Sequence, residues 1–170
     1  KERIHQILLK TAHLPKHLIH HYERENVVEF LLHSLGHQDC FNLSRAAYFI
    51  DNPDFDNLKG IAGFHSDLSY KDNHWDTPDI FSSHMQQMSF NQTVRNITMP
   101  SITKNKKEQR TVAEELAFSL GIQKPNFISW PVKHENFGLL VFEPSDQNDT
   151  EFINEQLELG AHLLGFCPIF

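Results

Sequence analysis

The sequence predicts an α+β fold with a central antiparallel sheet held in an α/β/α sandwich. Three observations carry that reading. Runs of strand-type residues occur in close pairs joined by turn residues, too near one another for the crossover that parallel strands need. Segments of helical periodicity stand before, between and after those pairs. The stretch "NFISWPVKHENFGLLVFEPSD", Asn126 to Asp146, places two apolar runs around a polar turn at Lys133–Asn136, and neither run alternates as a sheet wetted on one side would. Both faces of the sheet must then be covered.

The first element is a helix around Ile4 to Ala12, stopped near Pro15. A second runs from Tyr22 to Leu35, where Val28, Leu31, Leu32 and Leu35 recur at helical spacing and Gly36 stands at its end. "NLSRAAYFID" and "LKGIAGFH" are strand-type runs joined by the turn composition "NPDFDN". Ser66 to Glu108 is polar and irregular, with one strand suggested in "QTVRNITM". Thr111 with Glu114 makes a capping-box pattern opening a helix that lines up Val112, Leu116 and Leu120 and ends at Gly121. After the second hairpin, Asn148 and Glu151 repeat the capping pattern, and Ile153, Leu157, Gly160 and Leu164 form the apolar stripe of a terminal helix. The expected sheet contains Ala46–Ile50, Ile61–Phe64, Phe127–Val132 and Leu139–Phe142, with Val28, Leu32, Ile153, Leu157 and Leu164 against one face.

With 170 residues, the chain has room for one core and not comfortably for two, so residues 1–170 are read as a single domain. A net charge of -7 excludes a surface built for nucleic acid or anionic lipid, and Lys104, Lys106 and Lys107 read as a solvated linker. No apolar run approaches the roughly 20 residues of a membrane span. Cys40 and Cys167 lack the spacing of a disulfide framework or a zinc cluster, which fits a reducing cytoplasm. The triplets at Asn42, Asn91, Asn96 and Asn148 are what an Asn-, Ser- and Thr-rich chain produces by chance.

His13, His17, His21, Glu25, Glu29, His33 and His37 step by four residues, the spacing at which helical neighbours can grip a metal. A step of four over-rotates a helix by about 40°, so the series winds around its axis and only adjacent members share a face. With Val28 and Leu32 fixing the buried side, Glu29 and His33 are expected on the flank toward water. No metal or other cofactor is assigned. His65 with Asp67 and His74 with Asp76 could serve metal-assisted or acid–base chemistry, since a carboxylate often orients such an imidazole. No GxSxG elbow, P-loop or dinucleotide fingerprint accompanies them, and no catalytic residue is assigned.

The block "FISWPVKHENFGLLVFEPSDQNDTEFINEQLELGAHLLGF" resembles the end of a GAF domain, and "LLHSLGHQDCFNLSRAAYFIDNPDFDNLKGIAGF" is similar to the GAF opening. Together they cover about half of the chain. "VAEELAFSLGIQKPNFISWPVKHENFGLLVF" resembles the autoinducer-binding domain of LuxR-type regulators. That family pairs its ligand-binding aromatics with an Asp-Pro. Here "NHWDTPDIF" sets Pro78 before Asp79 and lacks the matching Tyr. The GAF/PAS-like resemblance implies a small-molecule-binding sensory domain, the signal-binding part of a transcriptional regulator. Such a chain would pair as a homodimer through its terminal helices and the apolar "LLGFCPIF", and a LuxR-type regulator would continue past Phe170 into a DNA-binding helix-turn-helix.

On this reading a ligand pocket lies between the sheet and the covering segment from His65 to Met99, bounded by Tyr48, Phe64, Trp75, Asp79, Phe81 and Trp130. Ala46, Ala47, Gly60, Ala62 and Gly63 thin the first hairpin, either to admit a ligand or to let a helix pack tightly on it. Trp75 and Asp79 would supply an aromatic surface beside an acceptor. The competing readings are a metal-dependent enzyme using the His/Asp-rich segment 65–84, and a partner-binding module without a ligand.

Overall fold

The two hairpins join through their first and last strands. A computed structural model describes residues 2–103, 109–145 and 150–168. In it β1 (Leu43–Asn52) pairs with β2 (Asn57–His65) on one side and β5 (Phe137–Pro144) on the other. Beyond β5 lies β4 (Asn126–Pro131), beyond β2 the short β3 (Thr98–Met99), and every pairing in the order β3-β2-β1-β5-β4 is antiparallel. The fold is therefore α+β, as the paired runs predict.

Pairing places Phe64, Ala46, Phe142 and Asn126 on one face of the sheet, and Gly63, Ala47, Val141 and Phe127 on the other. The first face is covered by α2 (Val27–Gly36), with α1 (Glu2–His21) and α6 (Thr150–Ala161) packed around it. Val28, Leu32, Ile153, Leu157 and Leu164 are all buried, as expected of that layer. Gly36 is the last residue of α2 for a packing reason: a Cβ there would lie 2.5 Å from the Phe64 ring. Gly121, beyond α5 (Gln109–Ser119), does take the left-handed conformation that its position after the helix suggests, at φ 73°.

Pro15 does not end the first helix. It sits inside α1, forfeiting the hydrogen bond to the carbonyl four residues back. Leu14 and Leu18, buried on the flank beside it, hold the helix across the gap. The second helix starts later than its periodicity suggests, because residues 22–26 turn through bonds from the Arg24 amide to His21 O and from the Val27 amide to Arg24 O. Thr111 lies within α5 rather than capping it, and Glu114 bonds Arg110 instead. Asn148 lies outside the described residues.

About half of the described part of the irregular segment, residues 66–103, is helical. α3 (Pro78–Gln87) and α4 (Ser89–Arg95) occupy it, and "QTVR" is helix, with only Thr98–Met99 extended among the described residues. Polar surfaces hid these helices, because their contacts are few side chains on one side: Phe81 and Met85, then Phe90 and Val94. α4 lands on β2 through a bulge. Tyr48 pairs with Ala62 but Phe49 pairs with Gly60, so Ile61 is the extra residue. Gly60 and Gly63, three apart, thereby share a face, where a Cβ on Gly60 would meet the Val94 carbonyl oxygen at 1.8 Å and one on Gly63 the Val94 side chain at 2.8 Å.

The outer edge of β2 is thus sealed. The Gly63 amide donates to Asn91 Oδ1 (2.8 Å) and the Gly60 amide to Ile97 O (3.0 Å), while Leu58 and Lys59 pair with β3. Glu29 and His33, expected toward water, are 2% and 1% exposed, because α3 and α4 cover that flank of α2. Gly60→Ala should lower stability by about 3 kcal/mol, as overpacking against a fixed carbonyl does. Urea unfolding measures it, and a change below about 0.5 kcal/mol would mean that α4 is free to move away.

Candidate functional site

The six residues expected to bound one pocket separate into four places. Tyr48 and Trp130 stack in parallel on the sheet, ring centroids 5.8 Å apart, and burial pushes the Tyr48 phenol up. Neither its hydroxyl nor the Trp130 indole N–H has a hydrogen-bond partner among the described residues. Phe64 and Phe81 are core rings set edge-on against His33, at 5.5 and 5.1 Å. Asp79, in the first turn of α3, has a side chain 93% exposed, pairs with Arg24 at 3.2 Å and lies apart from Trp75's cleft. The space expected between the sheet and segment 65–99 is filled where Phe90 and Val94 meet Gly60 and Gly63. Tight packing of a helix, the other reading of those small residues, is what occurs.

Trp75 alone of the six lines an opening. A cleft of about 260 Å³ lies between α1, α2 and the loop 71–75. α1 contributes Lys10, His13, Leu14 and His17, the end of α2 contributes Ser34, and the turn after it His37, Asp39 and Cys40. Lys71, Asp72, Asn73, His74 and Trp75 close it. The four-residue spacing of His13 and His17 puts both on one face of α1, a signal in the sequence that was weighed for metal binding and not for a cleft. Ser34, a lone serine within an apolar helix, carried none.

At the base of the cleft the Trp75 indole N–H donates to Ser34 Oγ at 2.9 Å, and the indole stacks on the His17 ring at 4.6 Å, nearly parallel. His74 Nε2 lies 2.9 Å from Ser34 Oγ and 3.0 Å from Phe30 O. A carbonyl can only accept, so Nε2 must carry the hydrogen. In that tautomer His74 Nε2 is a donor and does not accept the Ser34 proton. Ser34 receives hydrogens from both rings and keeps its own O–H to donate.

His33 and His74 stand 4.6 Å apart in one cluster with Phe30, Phe81 and Tyr70. Burial, reinforced by the neighbouring His74, His37 and His84, lowers His33 to about 2. Burial also lowers His74, to about 4, against the raising effect of its bond to Phe30. Both rings are neutral at physiological pH. The Tyr70 amide donates to His33 Nε2 at 3.1 Å, which puts the His33 hydrogen on Nδ1, where it has no described partner. Cys40, buried at the edge of the cleft, has its thiol pushed up to about 12 and is no nucleophile.

Among the described residues no three His, Cys, Asp or Glu side chains are placed to hold a metal ion. His65 Nδ1 instead accepts the Asp67 amide in a local turn, and His74 faces Phe30 and Ser34. Among the described residues no helix is long and apolar enough to cross a membrane. No family model, no curated protein and no solved structure matches the chain.

The neutral histidines set a pH dependence of stability. Below the ordinary value of 6.5 the unfolded chain takes up protons that the fold refuses until about 2 at His33 and about 4 at His74. Stability from these rings is therefore full above about pH 6.5 and falls below it, by up to about 1.4 kcal/mol per pH unit for each ring. Urea unfolding at a series of pH values from neutral to mildly acid should show that slope, and His33→Gln should reduce it. An unchanged slope in the variant would contradict the assignment.

Proposed function

We propose that the chain is a small-molecule-binding sensory domain, GAF/PAS-like in kind and the signal-binding part of a regulator, with the cleft beside Trp75 as its ligand site. The observation that carries the reading is the convergence of three distant segments on one concave space with an apolar floor, Leu14 and Trp75, and an oriented donor, Ser34. Lys10 and Lys71 line the cleft together with Asp39 and Asp72, which suits a small ligand carrying both donors and acceptors. No reaction is assigned, since the only hydroxyl–imidazole pair in the cleft has its proton on the wrong nitrogen for a base. The buried free thiols Cys40 and Cys167 fit a reducing, cytoplasmic setting.

A panel of free amino acids, nucleosides and short carboxylates, screened by thermal shift, tests this reading. A ligand at 100 times its Kd stabilises by about 2.7 kcal/mol, or about 5–10 °C in a domain of this size. His13→Ala and Lys71→Glu, both at exposed rim positions, should cut the shift without lowering the Tm of the free protein. A ligand that stabilises both variants as much as the parent would place its site elsewhere.

Pairing of two copies belongs to the same reading. On α1, Leu8, Ala12, Pro15 and Ile19, with Tyr22 just past its end, are exposed at alternating spacings of four and three, the pattern of a helix-pairing seam. Ile19 is 77% exposed. Phe166, in the tail expected to take part, is also exposed, and Ile169 and Phe170 lie outside the described residues. Sedimentation should find a dimer that Leu8→Glu with Ile19→Glu converts to monomer. A parent that remains monomeric at high concentration would refute the pairing.

A further inference from the structure

The two edges of the sheet are treated differently. β2 has its outer edge closed by Asn91, Ile97 and β3, whereas none of the described backbone hydrogen bonds falls on the outer edge of β4. The Val132 amide bonds Asn136 O across the turn to β5, so by the two-residue period the amides of Trp130 and Ile128 also face β5. The N–H and C=O groups of Phe127 and Ser129 therefore face outward, and Pro131, which has no N–H, closes that edge. An unpaired strand edge is a template for another strand.

What lies beside that edge selects the occupant. A groove of about 460 Å³ runs between β4 and α6, lined on the sheet side by Asn126, Phe127, Ile128 and Phe142. Its far wall is Glu151, Asn154, Glu155 and Glu158, a set with helical spacings of three, four and seven that lines one face of α6. The three glutamates are exposed and take part in none of the described ion pairs. Asn154 Oδ1 is buried and has no described partner, so it adds an acceptor without a donor. Outward amides and carbonyls ask for an extended backbone, and the wall asks for donors and positive charge. A second copy paired across the same edge would bring two acidic stripes together, which like charges oppose.

We propose that this groove is a docking site for an extended basic peptide, added as a strand to β4 with alternate Lys or Arg side chains reaching the acidic face of α6. Backbone pairing supplies affinity and the glutamates supply selection by charge.

Fluorescence anisotropy with a labelled acetyl-Lys-Val-Arg-Val-Lys-Thr-Lys-amide peptide tests it, at protein concentrations up to about 1 mM, where even modest affinity registers. The peptide should bind, and its counterpart with Glu at the basic positions should not. The charge reversal Glu151→Lys, Glu155→Lys, Glu158→Lys, at exposed positions, should weaken binding at least about tenfold, as three screened pairs together can. N-methylation of the peptide amides facing β4 should weaken it as much, because each removes a ladder bond. Absence of binding overturns the proposal, as does binding indifferent to the charge reversal. Binding that survives N-methylation overturns strand addition. The cleft variants His13→Ala and Lys71→Glu should leave peptide binding unchanged, which keeps this test separate from that of the small-molecule reading.

Discussion

Glu29 is a carboxylate buried inside α2, and the placement of every element from Ser66 to Thr103 follows from how its charge is met. Oε1 accepts from Arg95 at 2.8 Å and from Asn91 at 3.3 Å, and Oε2 from Asn26 at 3.3 Å. An ionised carboxylate left alone in such a place would cost several kcal/mol, so α4 is required where it lies. Asn91 carries the constraint onward. Its amide N–H also donates to Met85 O, which closes the joint between α3 and α4, and its Oδ1 receives the Gly63 amide, which seals the sheet edge. Arg95 remains 56% exposed, so water shares its charge and the pair avoids desolvating both ions.

With α4 fixed, α3 is held alongside α2, and Phe81 is brought onto Phe30 and His33. The chain leading into α3 then has to cross the end of α2, which is what puts His74 and Trp75 over Ser34. Histidine suits this joint because a neutral ring packs flat like an aromatic while still bonding a backbone group, as His33 does with Tyr70 and His74 with Phe30. His17 and His21 add their rings against Trp75 from α1, and burial lowers both. The cleft is thus a by-product of the same packing that closes the fold. Its integrity is tied to the histidines staying uncharged.

The hairpins were legible because strand patterns and turn residues are local signals, and Gly121 announced its helix end through backbone conformation alone. α2 and α6 were legible as apolar stripes. The region from Ser66 to Thr103 was opaque for a physical reason: its helices are anchored by polar atoms, Asn91 and Arg95 to Glu29, Ser82 and Asn26 to one another, and hydrophobic periodicity does not register such bonds. Glu29 and His33 were misplaced to the surface by the same blindness. Trp75, singled out in the sequence as an aromatic surface beside Asp79, does line the cleft, but its partner Ser34 lies 41 positions away and left no trace in the local pattern. Asp79 was placed beside Trp75 on sequence proximity alone, and its carboxylate turns instead to Arg24, 55 positions away.

A double-mutant cycle between Glu29 and Asn91 tests most directly whether this buried carboxylate organises the fold. Glu29→Met and Asn91→Leu would each remove one partner and leave the other wanting, while the double variant removes both from the α2–α4 joint. The account predicts that the double variant loses less stability than the sum of the single losses, by at least about 1 kcal/mol in urea unfolding. Losses that add to within about 0.3 kcal/mol would contradict it and make Glu29 an incidental buried charge.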